Sequence, residues 1–305
     1  LHLGASGAQA LKSILPPDSD SYLSAASFLL SRNDGGIGRE LMHEGESLRR
    51  AEMARLWSEL KETGPWLDKS ENRKLCGLAS LDRNHPGVLL LQGDLMSALK
   101  QIDRRGETIG SWQDTRAVFH FLKTELDADR GDKALQTYYL GKLVLEEGDE
   151  IEAEKWLRKS MNYNTQHFPT WITLRDVMKR HVRNGGDQLE LDTLNAKIDL
   201  FAMTGVVSDA WKWSGLKNEL PAWRAPVRVA NPVSGMTLRF SAIRNGSWAL
   251  YLDGRFVEVW SGTTWQGRVA LSILPGEHEF TLVSWNRDMA DFAKVLPFTL
   301  EIGFE

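Results

Sequence analysis

Residues 134–157 read ALQTYYLGKLVLEEGDEIEAEKWL, and this stretch carries the clearest structural signal in the first part of the chain. Large apolar residues recur in it at helical spacing, and a short polar run interrupts them around Gly148. Gly141 and Ala153 are small enough for two antiparallel helices to touch there, while Leu157 fills the space beside them. The stretch therefore predicts two helices joined by a short turn.

The same residues resemble a tetratricopeptide repeat, a helix-turn-helix unit of about 34 residues. Leu140 and Gly141 match the large and small pair of its first helix, and Ala153 matches the small residue of its second. Trp171 stands 34 residues beyond Thr137 and opens the next unit. The resemblance implies a stack of helix pairs that bury their apolar faces against one another.

The predicted architecture is an α-helical repeat followed by an antiparallel β-sandwich. The repeat is expected over residues 21–220, after an N-terminal extension of residues 1–20, and a plain helical bundle is the alternative. Further helices are predicted at residues 22–30, 39–60, 85–104 and 114–126. The helical part should end within residues 214–226, because Gly215, Pro221 and Pro226 interrupt a helix.

The resemblance also predicts a groove, since the first helix of each tetratricopeptide unit lines a concave face. Tyr138, Lys142, Asp176 and Lys179 should point into it. Such grooves commonly hold an extended or helical peptide in that family, which implies a protein partner. The alternative is that these four are ordinary exposed polar residues.

The sandwich is predicted over residues 226–305, where short alternating runs are separated by turn pairs. Strands are expected near residues 227–230, 237–244, 247–252, 255–260, 268–273, 279–285 and 296–302. Asp253-Gly254 predicts a hairpin, because both residues tolerate the positive φ that a type I′ turn needs. With residues 274–278, this hairpin resembles immunoglobulin-like accessory modules and carbohydrate-binding modules of bacterial envelope proteins.

Three tryptophans of the sandwich are candidate ligand contacts. Trp265 falls in the polar run Gly262-Thr263-Thr264-Trp265-Gln266-Gly267, which predicts a loop where the indole could stack on a sugar. Trp260 and Trp285 fall on the strand face opposite the predicted core, where they could extend that patch or dock onto the helices. Burial in the core is the competing explanation for each ring.

Several function classes are disfavoured by composition. The 37 basic and 41 acidic residues give a net charge of -4 without a basic stripe, which argues against nucleic acid. Seven dispersed histidines and the single Cys76 offer no metal-ligand spacing, and no cofactor motif is present. No motif of a catalytic serine or metalloprotease is complete, so we expect no enzymatic activity.

The leading hypothesis is a non-catalytic scaffold: the helical groove binds a protein partner, and the sandwich binds glycan or packs against the helices. The alternative is the extracytoplasmic portion of a larger membrane enzyme that handles envelope polysaccharide or glycolipid. The chain starts at Leu1 rather than methionine, which raises the expectation of a missing N-terminal segment that attaches it to a membrane. A periplasmic or extracellular location is favoured.

Overall fold

The first part of the chain is helical in the computed structural model, which describes residues 5–32, 34–63, 76, 78–183, 187–218, 220–292 and 296–305. Its α-helices are α1 (Ala5–Ile14), α2 (Ser19–Ser31), α3 (Gly35–Thr63), α4 (Pro86–Leu91), α5 (Leu95–Arg104), α6 (Thr115–Asp127), α7 (Lys133–Glu146), α8 (Glu150–Tyr163), α9 (Phe168–Arg183) and α10 (Gln188–Phe201). The predicted class, helices followed by antiparallel strands, is confirmed. The tetratricopeptide repeat and the solenoid stay predictions.

Aspartates mark the start of most of these helices. Each accepts a hydrogen bond from a backbone N–H of the first turn, which satisfies a donor that the helix leaves unpaired. The capping residues are Asp18, Asp94, Asp114, Asp132, Asp149 and Asp187. The helix predicted over residues 85–104 is wrong in one respect: it breaks after Leu91, because Gly93 takes a positive φ of 78° and Asp94 caps a new helix.

The predicted helix pair around Gly148 is present as α7 and α8. A Cβ on Gly141 would lie 3.0 Å from Leu157 Cγ, so a side chain at this position would press on the neighbouring helix. Ala153 and Leu157 are fully buried between the two helices. The small residues therefore allow the close approach that the sequence predicts.

The second part of the chain folds into two antiparallel sheets. The strands are β1 (Gly205–Val206), β2 (Lys212–Lys217), β3 (Leu220–Val229), β4 (Val233–Ala242), β5 (Ser247–Leu252), β6 (Arg255–Ser261), β7 (Thr264–Ile273), β8 (Gly276–Ser284) and β9 (Phe298–Phe304). One sheet has the order β1-β9-β4-β7 and the other the order β2-β3-β8-β5-β6. An aromatic core that includes Trp223, Trp248 and Phe280 lies between them. Asp253 and Gly254 form the predicted hairpin turn, with φ values of 49° and 80°.

The change from helix to strand comes earlier than predicted. Helix α10 ends at Phe201, and Pro221 and Pro226 both lie within β3. Strand β2 pairs with β3 only as far as Arg224. On that edge of β3, no β2 residue pairs with Pro226. A proline nitrogen on an unpaired side leaves no ladder bond missing, and the strand continues.

The outer face of the five-stranded sheet is packed against helices α2 and α3. Leu30 and Leu41 from the helices form one buried cluster with Val259 and Trp285 from the sheet. Ser247 Oγ also donates a hydrogen bond of 2.8 Å to the carbonyl oxygen of Leu30. The helical part and the sandwich thus share a continuous apolar interface.

Candidate ligand site between the helices and the sandwich

A cavity of about 420 Å³ opens where the helices meet the turn between β7 and β8. This seam cavity is lined by three helical segments and by residues 274–278, which are the turn and the start of β8. Polar side chains line it from every side. They are Lys100, Asp103 and Arg104 of α5, Tyr138, Tyr139 and Lys142 of α7, His167 just before α9, Thr173 and Asp176 of α9, and Glu277 and His278 of β8. A volume of this size falls within the range of small-molecule sites.

Asp103 organises the helical wall of the seam cavity. Its two carboxylate oxygens accept hydrogen bonds from Tyr138 Oη at 2.7 Å and from Lys142 Nζ at 2.6 Å. Tyr138 is buried, and burial together with the nearby Asp103 charge raises the pKa of its phenol well above the usual value. Tyr138 therefore acts as a neutral donor that holds Asp103 in place, and Lys142 supplies the balancing charge.

His167 closes the same wall beside Tyr138. The two rings meet edge to face with centroids 5.2 Å apart, and His167 Nδ1 lies 2.7 Å from Thr170 Oγ1. Burial lowers the pKa of His167, so its imidazole is neutral at neutral pH. A neutral ring adds hydrogen-bonding capacity here without adding charge.

The turn wall is fixed by His278. Its Nδ1 lies 2.7 Å from Asp253 Oδ2, and its Nε2 lies 2.8 Å from the carbonyl oxygen of Leu274. Asp253 and the Leu274 carbonyl hold the imidazole from two sides and fix its orientation at the edge of the cavity. Arg104 Nε approaches Asp253 Oδ1 at 3.7 Å and so links helix α5 to the β5–β6 hairpin that holds His278.

A glycine allows the two walls to meet. Gly106, just beyond α5, has a φ of 67°, and a Cβ built on it would lie 2.3 Å from Leu274 Cδ1. A side chain at this position would require the Leu274 side chain to move, and the positive φ itself disfavours residues other than glycine. Leu274 and Gly106 are thus the point where the two walls lie close together at one edge of the cavity.

The charges that line the seam cavity nearly cancel. Asp103, Asp176 and Glu277 are balanced by Lys100, Arg104 and Lys142, and apolar contact comes from Leu135, Pro169, Ile172 and Leu274. The Asp176 side chain is 48% exposed, while those of Lys142 and Asp103 are 25% and 23% exposed, so solvent reaches all three. The cavity can offer both donors and acceptors to a polar ligand without a large net field.

The predicted groove residues are only partly brought together. Tyr138, Lys142 and Asp176 line the seam cavity, but Lys179 lies outside that lining and faces Asp176 at 3.8 Å. Tyr138 is 2% exposed and so offers a ligand very little surface. Whether these residues bind anything stays a prediction.

The three candidate tryptophans lie elsewhere, and the predicted loop at Trp265 is wrong. Trp265 belongs to strand β7 and stacks on Trp260 with ring centroids 5.2 Å apart. Alternate residues of that strand face the core, and the polar neighbours of Trp265 face solvent, which explains the polar sequence around it. Trp260 is fully buried between the sheets, and Trp285 is 8% exposed beneath helices α2 and α3.

Sequence reasoning missed Asp103 and His278 as members of one site. They are 175 positions apart in the sequence, and no local spacing connects them. A weak signal exists for the turn, since Pro275-Gly276 precedes His278 and follows a strand.

Within the described ranges, no cluster of three or more metal-ligating side chains is found, and no helix is long and apolar enough to cross a bilayer.

No family model matches this chain, and no curated protein matches it. A part of it is similar to a family 36 carbohydrate-binding module solved with calcium and xylotriose, at 13% identity over 34% of this chain and 100% of that one, with a TM-score of 0.24. It is similar to a family 6 carbohydrate-binding module at 13% identity over 34% of this chain and 94% of that one, with a TM-score of 0.20. A family 35 module from Cellvibrio japonicus matches at 11% identity over 33% of this chain and 84% of that one, with a TM-score of 0.19.

Proposed function

We propose that this chain is a non-catalytic binding protein that holds a neutral saccharide in the seam cavity. The observation that carries the proposal is a cavity of about 420 Å³ whose lining includes three carboxylates and three Lys or Arg side chains. A sugar hydroxyl both donates and accepts, so neighbouring Asp and Lys groups can bind it from both sides. A strongly charged ligand would meet as much repulsion as attraction there.

Binding by stacking of a sugar ring on an exposed tryptophan has little support. Of the tryptophans that the structure describes, none reaches the exposure of the surface aromatics Phe28, Phe121 and Tyr163. The outward side chains of β4 and β7 are polar and aliphatic, including Arg239, Gln266 and Arg268. We therefore place the saccharide between the helices and the turn rather than on the outer face of the four-stranded sheet.

The test is a glycan-array screen of the intact chain, followed by calorimetric titration of each glycan that binds. Lys142→Met and Asp176→Asn should each weaken binding at least about tenfold, because a hydrogen bond to a charged group contributes roughly 1.5–3 kcal/mol. Lys133→Met is the matched control for the lysine change, since Lys133 lies on α7 with Lys142 but outside the cavity lining.

Two outcomes would contradict the proposal. In the first, every cavity variant binds the glycan like wild type, while Trp265→Ala abolishes binding and moves the site to the sandwich. In the second, no glycan binds and a peptide library yields a ligand that Lys142→Met rejects, which would assign the cavity to a protein partner. Membrane attachment, an extracytoplasmic location and membership of a larger envelope enzyme stay predictions from the sequence.

A further inference from the structure

A second cavity of about 410 Å³ lies between helices α2 and α3 and the outer face of the five-stranded sheet. We call it the Lys217 cavity. Its apolar lining comes from both sides and includes Leu23, Phe28, Met42, Leu220, Tyr251 and Trp285. These side chains can enclose an apolar body about as large as the seam cavity can hold.

Charged groups are gathered at the same cavity. Glu46, Arg49 and Lys217 all belong to its lining. Glu46 Oε1 pairs with Arg49 Nη1 at 3.5 Å, and the Glu46 side chain is only 8% exposed. Within the part of the chain that the structure describes, Lys217 forms no ion pair, and its Nζ lies 3.7 Å from the centre of the Tyr251 ring. The cavity therefore holds one positive charge more than its carboxylate balances.

Two side-chain donors of lining residues, Trp285 Nε1 and Arg49 Nε, are buried and have no hydrogen-bond partner among the residues that the structure describes. Neither atom has accessible surface, so a ligand in the cavity meets Lys217 rather than these two nitrogens. The positive charge of Lys217, which forms no ion pair among the described residues, is therefore what favours an anionic ligand. A carboxylate offers two acceptor oxygens and a negative charge.

We propose that the Lys217 cavity binds a small amphiphilic carboxylate, with the carboxylate at Lys217 and Arg49 and the apolar body against Tyr251 and Trp285. Lys217 can hold a carboxylate through its ammonium group, as the lysine of an ion pair does. The aromatic and aliphatic walls then cover the rest of the ligand. This site is separate from the seam cavity and does not depend on it.

Decanoate is the probe for this proposal, and 1-decanol is its uncharged analogue. Calorimetric titration of the intact chain at pH 7 should show saturable binding of decanoate at one site and at least about tenfold weaker binding of decanol. Lys217→Met should weaken decanoate binding at least about tenfold while keeping most of the aliphatic stem in place. Lys212→Met is the matched control, because Lys212 lies on the same strand, is exposed and stays outside the cavity lining.

The pH dependence of wild-type binding gives a second readout that needs no variant. Burial lowers the pKa of Lys217 to about 8, so the ammonium group is lost as the pH rises. The other charged groups that act on it are Arg49, Glu46, Arg224 and Asp82. Decanoate affinity should fall between pH 7 and 9.5 in wild type and in Lys212→Met, and should stay level in Lys217→Met.

Three results would overturn the proposal. They are decanoate failing to saturate a single site, decanol binding as tightly as decanoate, and Lys217→Met binding like the control. None of these results would bear on saccharide binding in the seam cavity, because the two cavities share no lining residue among those that the structure describes.

Discussion

The free energy of unfolding should rise with pH above neutrality because of Lys217. Burial lowers its pKa from 10.5 to about 8 in the folded chain, and the nearby Arg49 charge lowers it further than Glu46 restores it. The unfolded chain therefore binds this proton more tightly than the folded chain does. Between these two pKa values the unfolded state carries the extra proton, so stability increases as the pH rises.

The magnitude follows from the shift. Each pKa unit corresponds to about 1.4 kcal/mol, so the full difference is about 3 kcal/mol, of which about 2 kcal/mol falls between pH 7 and 9.5. Urea unfolding followed by circular dichroism at pH 7, 8 and 9.5 would measure it. The Lys217→Met variant should lack this rise, and Lys212→Met should keep it. Equal slopes in wild type and Lys217→Met would refute the reasoning.

Three further predictions concern stability. Burial lowers the pKa of His85 to about 4, so wild type should lose about 3 kcal/mol as the pH falls from 6.5 to 4, and a His85→Leu variant titrated in urea should lose less. Trp260→Ala should cost about 3–5 kcal/mol by thermal unfolding, because the ring is fully buried; an effect under about 1 kcal/mol would show that Trp260 is not in the core. Asp253→Asn keeps a residue that tolerates positive φ but removes the carboxylate that accepts from His278 and from the backbone of Glu279. It should cost about 2 kcal/mol in urea unfolding, and an unchanged midpoint would contradict that role.

Local patterns predicted most elements of the fold. The pair around Gly148, the Asp253-Gly254 hairpin and the seven predicted strands all depend on residues close in sequence. The sequence-based predictions were wrong where contacts with residues distant in sequence determine the local structure. Pro226 interrupts helices, and so it predicted a domain boundary. It lies within β3 instead, because the pairing of β2 with β3 stops at Arg224 and leaves no partner strand on that side. The polar run around Trp265 likewise indicates a loop until β7 pairs with β4.

The candidate site was less predictable than the fold. Periodicity suggests that Tyr138, Lys142 and Asp176 share a helical face, and they do line one cavity. The opposite wall comes from a turn more than 90 positions downstream, and it meets the helices where the Leu274 side chain lies close to Gly106. The hydrophobic pattern predicts which residues are buried. It does not predict which helices and strands pack against each other, so the cavity could not be predicted before the fold was known.

The hydrogen bond from Ser247 to Leu30 closes a chain loop of 217 residues. Helices α2 and α3 emerge before the sheet during synthesis, and the sheet that covers their apolar stripe is built from residues 212–284. Such long-range closure slows folding and leaves that stripe open to other surfaces in the meantime. A truncated chain that ends before β5 should therefore aggregate, and a sandwich produced alone should bind apolar dyes on the face that Trp285 occupies.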